Sequence, residues 1–420
     1  MAVVGIIAEY NPFHCGHSFQ MEAVRRQHPA AYVVAVMSGS FTQRGAPCIL
    51  DKWTRARHAI AGGVDLVLEL PFVYACRSAQ DFARGGISLL SRLGIVTHLA
   101  FGTEAEGTEL LSELAARIDT SPVQMQLREF LGQGCSYASA LTRALVDNAV
   151  ISEDLLRAPN NILAIEYLRA LRRLAPQILP LGIQRISAQH GDPKLHAGIT
   201  SASSIRYALR APFPAWDQLK KSVSPYVWDD LKEAHRQGLP QEDSLLELLR
   251  YLLLVTDVSA LMKTYGVTEG IEHRLIRSLE TATDYKVFLE TASAKRYPRS
   301  RIARLIMHLL LHFQKDHAEE CDVCGAAYIR PLAFNARGRG LLRTIKGIST
   351  LPIITRTAAF LTSSTRKNDA ATYSLLQRML AFDTRATELR SLTLPTAHTK
   401  YHCTDFIMSP IFFQKERTEL

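Results

Sequence analysis

The sequence of 420 residues lacks a long apolar run, internal repeats and low-complexity segments. Its best apolar stretch, residues 302–313, is short and contains Arg304 and His308, so we expect a buried amphipathic helix there and no membrane span. The N-terminus enters an apolar run at once, without a basic region or a small-residue cleavage site. We therefore expect no signal peptide and a cytoplasmic protein.

The number of cysteines and the net charge are also modest. Seven scattered cysteines suit a reducing compartment better than a disulfide framework. Hydrophobic residues make up 47% and charged residues 21% of the chain, which is ordinary for a globular protein, and the length is enough for two or three domains. The net charge of +9 suits binding to polyanions, but alone it is a weak sign of nucleic-acid binding.

The N-terminal part of the chain alternates short apolar runs with amphipathic segments. The runs predict strands at residues 3–8, 32–37, 66–70 and 98–101, and the segments between them predict helices at about 18–27, 51–61 and 78–92. Such alternation favours a parallel sheet that is covered on both faces. Ligands bind at the carboxyl ends of the strands of such a sheet, so segments 11–17, 38–44 and 102–104 would border one crevice.

The rest of the chain is predicted to be mainly helical. Residues 108–174 indicate helices and residues 183–187 a short strand, and a further helix begins near Ser203 and ends at about Arg210, where Ala-Pro-Phe-Pro follows. We expect the main boundary at about residue 212. A catalytic domain would then span residues 1–212, and a mainly helical C-terminal region would span residues 213–420.

Two histidines flank a glycine in the turn after the first run, which reads Glu9-Tyr10-Asn11-Pro12-Phe13-His14-Cys15-Gly16-His17. This HxGH pattern, between a strand and a helix, is typical of enzymes in which the α-phosphate of a nucleoside triphosphate is attacked. On a first helical turn both imidazoles face one way and can donate to phosphate oxygens, while the glycine and the free N–H groups admit the nucleotide. The alternative is a pair of surface histidines at a helix start.

A second motif, Thr200-Ser201-Ala202-Ser203-Ser204-Ile205-Arg206, resembles the Ser/Thr-rich motif that closes the active site in the same superfamily. A serine at a helix N-cap leaves backbone donors and hydroxyls able to point at phosphates. Arg206, about one turn later, can bind the leaving pyrophosphate through its fork of donors. Alone, the motif favours a capped helix with a surface arginine. Together, the two motifs predict that His14, His17 and Arg206 are catalytic.

Further segments extend the pattern; they are Val36-Met37-Ser38-Gly39, Phe41, Gln43-Arg44-Gly45, Lys52-Trp53, Asp65-Leu66-Val67, Glu69-Leu70-Pro71, Pro159-Asn160-Asn161-Ile162-Leu163 and Arg185-Ile186-Ser187, with a weaker match at Tyr328-Ile329-Arg330 and Phe334-Asn335. With them the chain closely resembles the tRNA(Met) cytidine acetate ligase family of bacteria. The resemblance implies an α/β fold with a Rossmann-like parallel sheet of the HUP/nucleotidylyltransferase type. It also implies ATP-dependent ligation of acetate to N4 of the wobble cytidine of elongator tRNA(Met), through an acetyl-adenylate, with release of pyrophosphate and AMP.

The resemblance further implies a set of nucleotide-binding residues. The set comprises Ile7, Ala8, Glu9, Tyr10, Asn11, Pro12, Phe13, His14, Cys15, Gly16, His17, Ser18, Phe19, Gln20, Gly102, Asn160, Asn161, Arg185, Ile186, Ser203 and Ser204. From the sequence alone, Gly102 equally fits a simple turn, the asparagine pair fits a helix N-cap, and Arg185 fits a surface position.

Two other groups of polar residues are weaker candidates. Arg44 and Lys52 border the expected crevice and can bind acetate or phosphate, although polar loop residues are ordinary there. Cys321-x-x-Cys324, with His317 nearby, has partial zinc spacing, but the remaining candidate ligand, Cys403, is distant in sequence, so reduced cysteines are the favoured interpretation. Cys15 is not expected to be a nucleophile, because the proposed chemistry needs no thiol.

Basic residues cluster twice in the C-terminal half. The first group is Lys295, Arg296, Arg299, Arg301 and Arg304, and the second is Arg337, Arg339, Arg343 and Lys346. Together they can form a phosphate-binding face for tRNA, the alternative being a solvated basic helix face.

The expected partners are therefore ATP, acetate and elongator tRNA(Met), and Mg²⁺ is expected from triphosphate chemistry, without named ligands. Two other functions stay open at this point. One is a different adenylyl or cytidylyl transferase that acts on a small molecule. The other is a nucleotide-sensing RNA-binding protein without catalysis, and the intact histidine pair counts against it.

Overall fold

The computed structural model describes residues 1–105, 107–148, 155–156, 158–185, 200–362, 373–395 and 404–414. The strands in this part of the chain are β1 (Val3–Ala8), β2 (Tyr32–Ser38), β3 (Leu66–Leu70), β4 (His98–Thr103), β5 (Leu179–Gln184), β6 (Pro331–Phe334) and β7 (Ile411–Phe412). They form one sheet in the order β5-β4-β1-β2-β3-β6-β7. The first five strands in that order run parallel, β6 pairs antiparallel with β3, and β7 runs parallel to β6. The α/β fold with a mostly parallel sheet is as expected.

Helices surround the sheet. Those of the N-terminal half are α1 (Cys15–Gln27), α2 (Lys52–Ala61), α3 (Phe72–Ala75), α4 (Ala79–Arg92), α5 (Glu109–Ile118), α6 (Ser121–Gly132), α7 (Tyr137–Asn148), α8 (Pro159–Leu174) and α9 (Ala202–Leu209). Those that follow are α10 (Trp216–Ser222), α11 (Pro225–Gln237), α12 (Asp243–Val255), α13 (Val258–Leu261), α14 (Ile271–Leu279), α15 (Tyr285–Ala292), α16 (Arg299–Leu310), α17 (Lys315–Cys324), α18 (Ala336–Ile348), α19 (Leu375–Leu392) and α20 (Thr404–Ile407). In the part of the chain described above, no helix is apolar over a length that would cross a membrane.

The central strands are buried on both faces because their side chains alternate between two apolar cores. Val34 and Val36 of β2 belong to the core that α4 and α8 cover, whereas Val33 and Ala35 belong to the core that α1 and α2 cover. Two-sided burial explains why these strands are continuous apolar runs, and it is the feature that made them predictable.

Two element bounds differ from the expected ones. Helix α1 begins at Cys15 and not at Ser18, because His14 itself caps the helix. Strand β5 begins at Leu179 and not at residue 183, because Pro180 and Gly182 interrupt the apolar pattern of this exposed edge strand; residues 186 and 187 of the expected strand lie outside the described residues. The C-terminal region is mainly helical, as expected, and it also adds β6 and β7 to the sheet. The domain boundary at residue 212 stays a prediction.

Helix α16 packs against the loop that follows β2. Gly45 in that loop has a φ of +85°, and a Cβ atom on it would lie 2.7 Å from the carbonyl carbon of Ala303 and 2.8 Å from the amide nitrogen of Arg304. This close contact brings the C-terminal region over the carboxyl edge of the sheet, where ligands of parallel sheets bind.

Candidate active site

The turn between β1 and α1 carries the HxGH residues. Tyr10 adopts a left-handed backbone conformation, with a φ of +47°, and the Asn11–Pro12 peptide bond is cis. A tyrosine at positive φ is uncommon, and such residues tend to occur at functional sites. The chain then enters α1 with His14 as the N-cap residue and His17 at the third helical position.

Hydrogen bonds to the backbone fix the tautomers of the two histidines. Nδ1 of His14 accepts from the N–H of Gly16 at 3.0 Å, and Nδ1 of His17 accepts from the N–H of His14 at 3.2 Å. Because each Nδ1 is an acceptor, the proton of a neutral ring must be on Nε2. The ring centroids lie 3.9 Å apart. The capping arrangement therefore gives two adjacent Nε2–H donors.

Both imidazoles are held neutral. Burial, followed by the positive charges of Arg185 and Arg206, lowers the pKa of His14 to about 3. Burial, followed by His14 and Arg185, lowers the pKa of His17 well below its usual value. These cationic neighbours indicate a site built for an anion, whose arrival would offset their charge.

The second motif meets the first directly. Ser201 caps α9, and its Oγ accepts from the N–H of Ser204 at 3.1 Å. Arg206 donates from Nη1 to the carbonyl oxygen of Asn11 at 2.6 Å. Burial lowers the pKa of Arg206, and this guanidinium has no carboxylate ion-pair partner among the residues that the structure describes. The arginine thus lies beside the HxGH turn with unused donors.

Arg185 lies across Gly102 at the end of β4. A Cβ atom on Gly102 would lie 3.3 Å from Cγ of Arg185, so a larger residue would displace the arginine. Burial also lowers the pKa of Arg185. The absence of a side chain at Gly102 therefore leaves room for Arg185. Ile186 lies outside the described residues.

The two asparagines of the pair have different environments. Oδ1 of Asn161 accepts from the N–H of Glu104 at 2.9 Å, and its Nδ2 donates to the carbonyl oxygen of Leu155 at 3.0 Å. Asn161 thus ties α8 to the end of β4, whereas Asn160 borders the cavity described below. Its Nδ2 donates to the carboxylate of Glu104.

These residues surround one cavity of about 1030 Å³ at the carboxyl edge of the sheet. The predicted residues that line it are Ile7, Ala8, Glu9, Tyr10, Asn11, His14, Gly16, His17, Phe19, Gln20, Gly102, Asn160, Arg185, Ser203 and Arg206. Those that lie outside the lining are Pro12, Phe13, Cys15, Ser18, Asn161 and Ser204. The structure thus brings together residues from both motifs and from the ends of β1, β4 and β5.

A model of the family described as HIGH Nucleotidyl Transferase matches residues 1–404 of the chain. The chain belongs to the HIGH nucleotidyl transferase family. It is 35% identical over 98% of its length to the tRNA(Met) cytidine acetate ligase of Syntrophomonas wolfei, and 37% identical over 91% to that of Clostridium kluyveri; these matches cover 99% and 97% of the two relatives.

Solved structures of a related protein have the same fold. The apo crystal structure of Thermotoga maritima TmcAL matches 99% of this chain and 100% of its own, at 30% identity and a TM-score of 0.89. A second crystal structure of that protein, bound with alpha-thio ATP, has the same identity and coverage and a TM-score of 0.87.

Lys52 of this nucleotidyl transferase is not a ligand-binding residue, contrary to the sequence-based expectation. Its Nζ lies 2.6 Å from Glu69 and 2.7 Å from Asp405, and all three side chains are buried. The lysine therefore pairs with buried carboxylates of β3 and α20. Arg44, the other residue of that pair, does line the cavity.

The cysteines of this nucleotidyl transferase do not form a metal cluster in the part of the chain that the structure describes. Cys321 is buried in α17, and Cys324 is exposed at its end. Cys403 lies outside the described residues. Sγ of Cys15 faces the carbonyl oxygen of Lys221 at 3.7 Å, away from the cavity, and burial raises the pKa of its thiol. These positions support no thiol chemistry at the HxGH turn.

The sequence reasoning missed the part of the cavity that the C-terminal region lines. Tyr265, Arg304, Leu305 and His308 all border it. The one sequence signal was the presence of Arg304 and His308 within the mainly apolar stretch 302–313. A buried polar residue in an apolar stretch has a partner or a function.

Proposed function

We propose that this nucleotidyl transferase ligates acetate to N4 of the wobble cytidine of elongator tRNA(Met) at the expense of ATP. The acetate carboxylate attacks the α-phosphate, which gives acetyl-adenylate and pyrophosphate. The cytidine amine then attacks the acetyl carbonyl, which gives acetylated cytidine and AMP. The relatives named as tRNA(Met) cytidine acetate ligases, aligned over nearly the full chain, support the choice of substrates.

The observation that carries the first step is the pair of adjacent Nε2–H donors. Negative charge builds up on the α-phosphate oxygens in the transition state, and fixed donors stabilise that charge without reorganising. His14 and His17 are held in this tautomer by backbone N–H groups before any ligand arrives. Preorganised donors of this kind are what adenylyl transfer needs, since it proceeds without a covalent catalyst.

Arg185 and Arg206 suit the charge of the triphosphate. Both guanidiniums line the cavity, and burial lowers the pKa of each. Arg206 and the hydroxyl of Ser203 lie on the first turns of α9, whose N-terminal donors favour an anion. We assign pyrophosphate binding to this end of the cavity. Asn11 adds a buried Nδ2 donor that has no partner among the described residues.

Mg²⁺ is part of the proposal as the usual companion of a triphosphate. Its protein ligands would be few, because the described residues contain no group of three or more His, Cys, Asp or Glu side chains that suits a metal ion. Glu9 is a cavity carboxylate without an ion pair among those residues. One carboxylate with phosphate oxygens and water is a common Mg²⁺ set.

The tRNA would bind through exposed arginines and lysines of the C-terminal region, which offer contacts to its phosphates. Arg339, Arg343 and Lys346 are exposed on α18 at spacings of four and three residues, so they share one helix face. We assign the reaction to the cytoplasm, since its acceptor is a tRNA.

The test is an incubation of the protein with ATP, labelled acetate and tRNA(Met). We expect acetylated cytidine together with AMP, and neither product without acetate. The matched reaction omits tRNA and follows the exchange of pyrophosphate into ATP, which reports the first step alone. An absence of acetate-dependent AMP would reject the ligase function and favour a transferase that acts on another small molecule.

A further inference from the structure

Apart from Arg44, Arg185 and Arg206, four arginines line the cavity, and three of them have partners among the described residues. Arg77 pairs with Asp322 at 2.7 Å and with Asp81 at 3.2 Å. Arg296 pairs with Glu269 at 2.7 Å. Arg301 donates to Oγ1 of Thr268 at 3.2 Å, and its guanidinium lies 4.7 Å from the centroid of the Tyr297 ring. The guanidiniums of Arg77, Arg296 and Arg301 are therefore already engaged by other residues of the protein.

Arg304 is the fourth arginine, and it differs from the others. Within the described residues its side chain has no hydrogen bond and no ion pair. The guanidinium is largely buried, and burial lowers its pKa. A buried charge without a partner is costly, so its retention indicates a ligand that is absent from the protein alone.

The backbone holds Arg304 in place at the carboxyl edge of the sheet. Its amide nitrogen lies against Gly45, so α16 is packed tightly on the loop after β2. The charges of Arg304 and Glu9 both act on the pKa of the buried Cys76 thiol, which burial raises to about 12. Arg304 thus lies in the same region as the residue that leads into the HxGH turn.

Apolar surface adjoins Arg304 on one side of the cavity. Leu305 and the rings of Tyr265 and His308 line the cavity beside it. The ring nitrogens of His308 face the carbonyl oxygens of Cys76 at 2.8 Å and Tyr265 at 3.2 Å, so the ring offers no polar atom to a ligand. A recess that places Arg304 beside apolar walls suits a small organic carboxylate.

We propose that Arg304 binds the carboxylate of acetate and that the apolar recess beside it receives the methyl group. This assignment rests on the proposed ligase function and names the acyl-donor site within it. The phosphates of ATP have Arg185, Arg206 and the two histidines. A phosphate of the tRNA shares the oxyanion chemistry of acetate, but the tRNA backbone reaches exposed arginines more readily than one in a recess.

The test measures acetate-dependent pyrophosphate exchange without tRNA. We expect Arg304→Gln to raise KM for acetate roughly 10- to 100-fold, the effect of losing a charge-assisted hydrogen bond, with little change in KM for ATP. Arg304→Lys keeps the charge and a long stem, so it should keep the fold and give an intermediate KM. Arg277→Gln, on an exposed position of α14, is the matched control and should behave as the wild-type protein.

Three outcomes overturn the assignment in different ways. An unchanged KM for acetate in both Arg304 variants rejects it while wild-type exchange keeps the ligase function intact. A weaker affinity for tRNA with an unchanged KM for acetate assigns Arg304 to a phosphate of the tRNA. A rise in KM for ATP alone assigns it to the nucleotide. Absence of acetate-dependent exchange in the wild-type protein would instead reject the ligase function itself.

Discussion

The backbone N–H of His14 donates to Nδ1 of His17 at 3.2 Å, so the helix N-terminus itself orients the second imidazole. The same N-cap geometry lets His14 accept from Gly16. One local structure, a capping box built from two histidines, therefore sets the tautomer of both rings. The HxGH spacing is explained by this geometry, because only a residue three positions after the N-cap can complete it.

Loss of one Nε2–H donor should slow the first chemical step. We expect His17→Ala to reduce the rate of adenylate formation by roughly 10²-fold or more, the scale of losing a transition-state donor. Acetate-dependent pyrophosphate exchange measures this rate. His273→Ala, an exposed histidine on α14 outside the cavity, is the control and should leave the rate unchanged. A near-normal rate in His17→Ala would remove that residue from the mechanism.

The low pKa of His14 predicts a specific dependence of stability on pH. The folded protein keeps His14 neutral down to about pH 3, whereas the unfolded chain protonates it near pH 6.5. The unfolded state therefore binds more protons between these values, so His14 makes the free energy of unfolding fall as pH drops below 6.5. The decrease in the free energy of unfolding that His14 causes is absent above pH 6.5 and reaches at most about 2 kcal/mol at pH 5.

Urea unfolding at pH 7 and pH 5 checks this prediction. His14→Gln removes the titrating group, so its free energy of unfolding should fall less between the two pH values than that of the wild-type protein. The buried histidines outside the HxGH turn are present in both proteins and cancel in the comparison. The contribution of His17 changes in the same direction as that of His14, because His14 helps to lower the pKa of His17. An identical pH dependence of the two proteins would mean that His14 is not held neutral by the fold.

The central sheet and the HxGH turn could be predicted because their signals are local. Strands that are buried on both faces are continuous apolar runs, and a strand followed by a capped helix is visible within 25 residues. The exposed edge strand β5 was misplaced by four residues at its start for the opposite reason. It has Pro180 and Gly182 where the inner strands have Val and Ile.

The features that could not be predicted depend on contacts between distant parts of the chain. Lys52 has the appearance of a crevice residue until Asp405, far away in sequence, pairs with it. Likewise, the sequence around Arg304 does not indicate that Gly45 packs on the backbone of α16. That contact places Arg304 in the lining of the cavity. Asn160 and Asn161 are neighbours whose different environments follow from helical geometry alone.

The contact between Gly45 and α16 gives a third prediction. Gly45 and Gly134 have nearly the same φ, +85° and +83°, but only Gly45 is close to another segment; nothing lies within 4 Å of a Cβ on Gly134. Gly134→Ala should therefore cost only the left-handed conformation, about 1–2 kcal/mol. Gly45→Ala should cost more, because its Cβ also meets the backbone of Ala303.

Urea unfolding and exchange kinetics separate the two effects of Gly45→Ala. Displacement of α16 also moves Arg304, so we expect a raised KM for acetate in Gly45→Ala and an unchanged KM in Gly134→Ala. Equal losses of stability in the two variants would contradict the close contact. A normal KM for acetate in a destabilised Gly45→Ala would separate the contact from the acyl-donor site.

The two basic groups of the C-terminal half should contribute unequally to tRNA binding. In the first group, Arg299 pairs with Glu290 at 3.1 Å and Arg301 stacks on Tyr297. Part of the positive charge of this group is therefore already engaged within the protein. In the second group, Arg339 and Arg343 are exposed and form no ion pair with a described residue, and the one ring contact is that of Arg339 with Phe412, at 5.2 Å from the centroid. We therefore expect Arg339→Glu with Arg343→Glu to weaken tRNA binding more than Arg299→Glu with Arg301→Glu.

Binding of tRNA(Met) at several salt concentrations measures this difference. Each phosphate contact that is lost should reduce the slope of log K against log salt by about 1, since fewer counterions are released. Arg236→Glu with Arg277→Glu, at exposed positions of α11 and α14 outside both groups, is the control for the change in net charge. Unchanged affinity at low salt in both double variants would mean that the basic groups are solvated helix faces and that the tRNA docks elsewhere. A larger loss from the first pair would instead direct the tRNA backbone toward α16 and the cavity mouth.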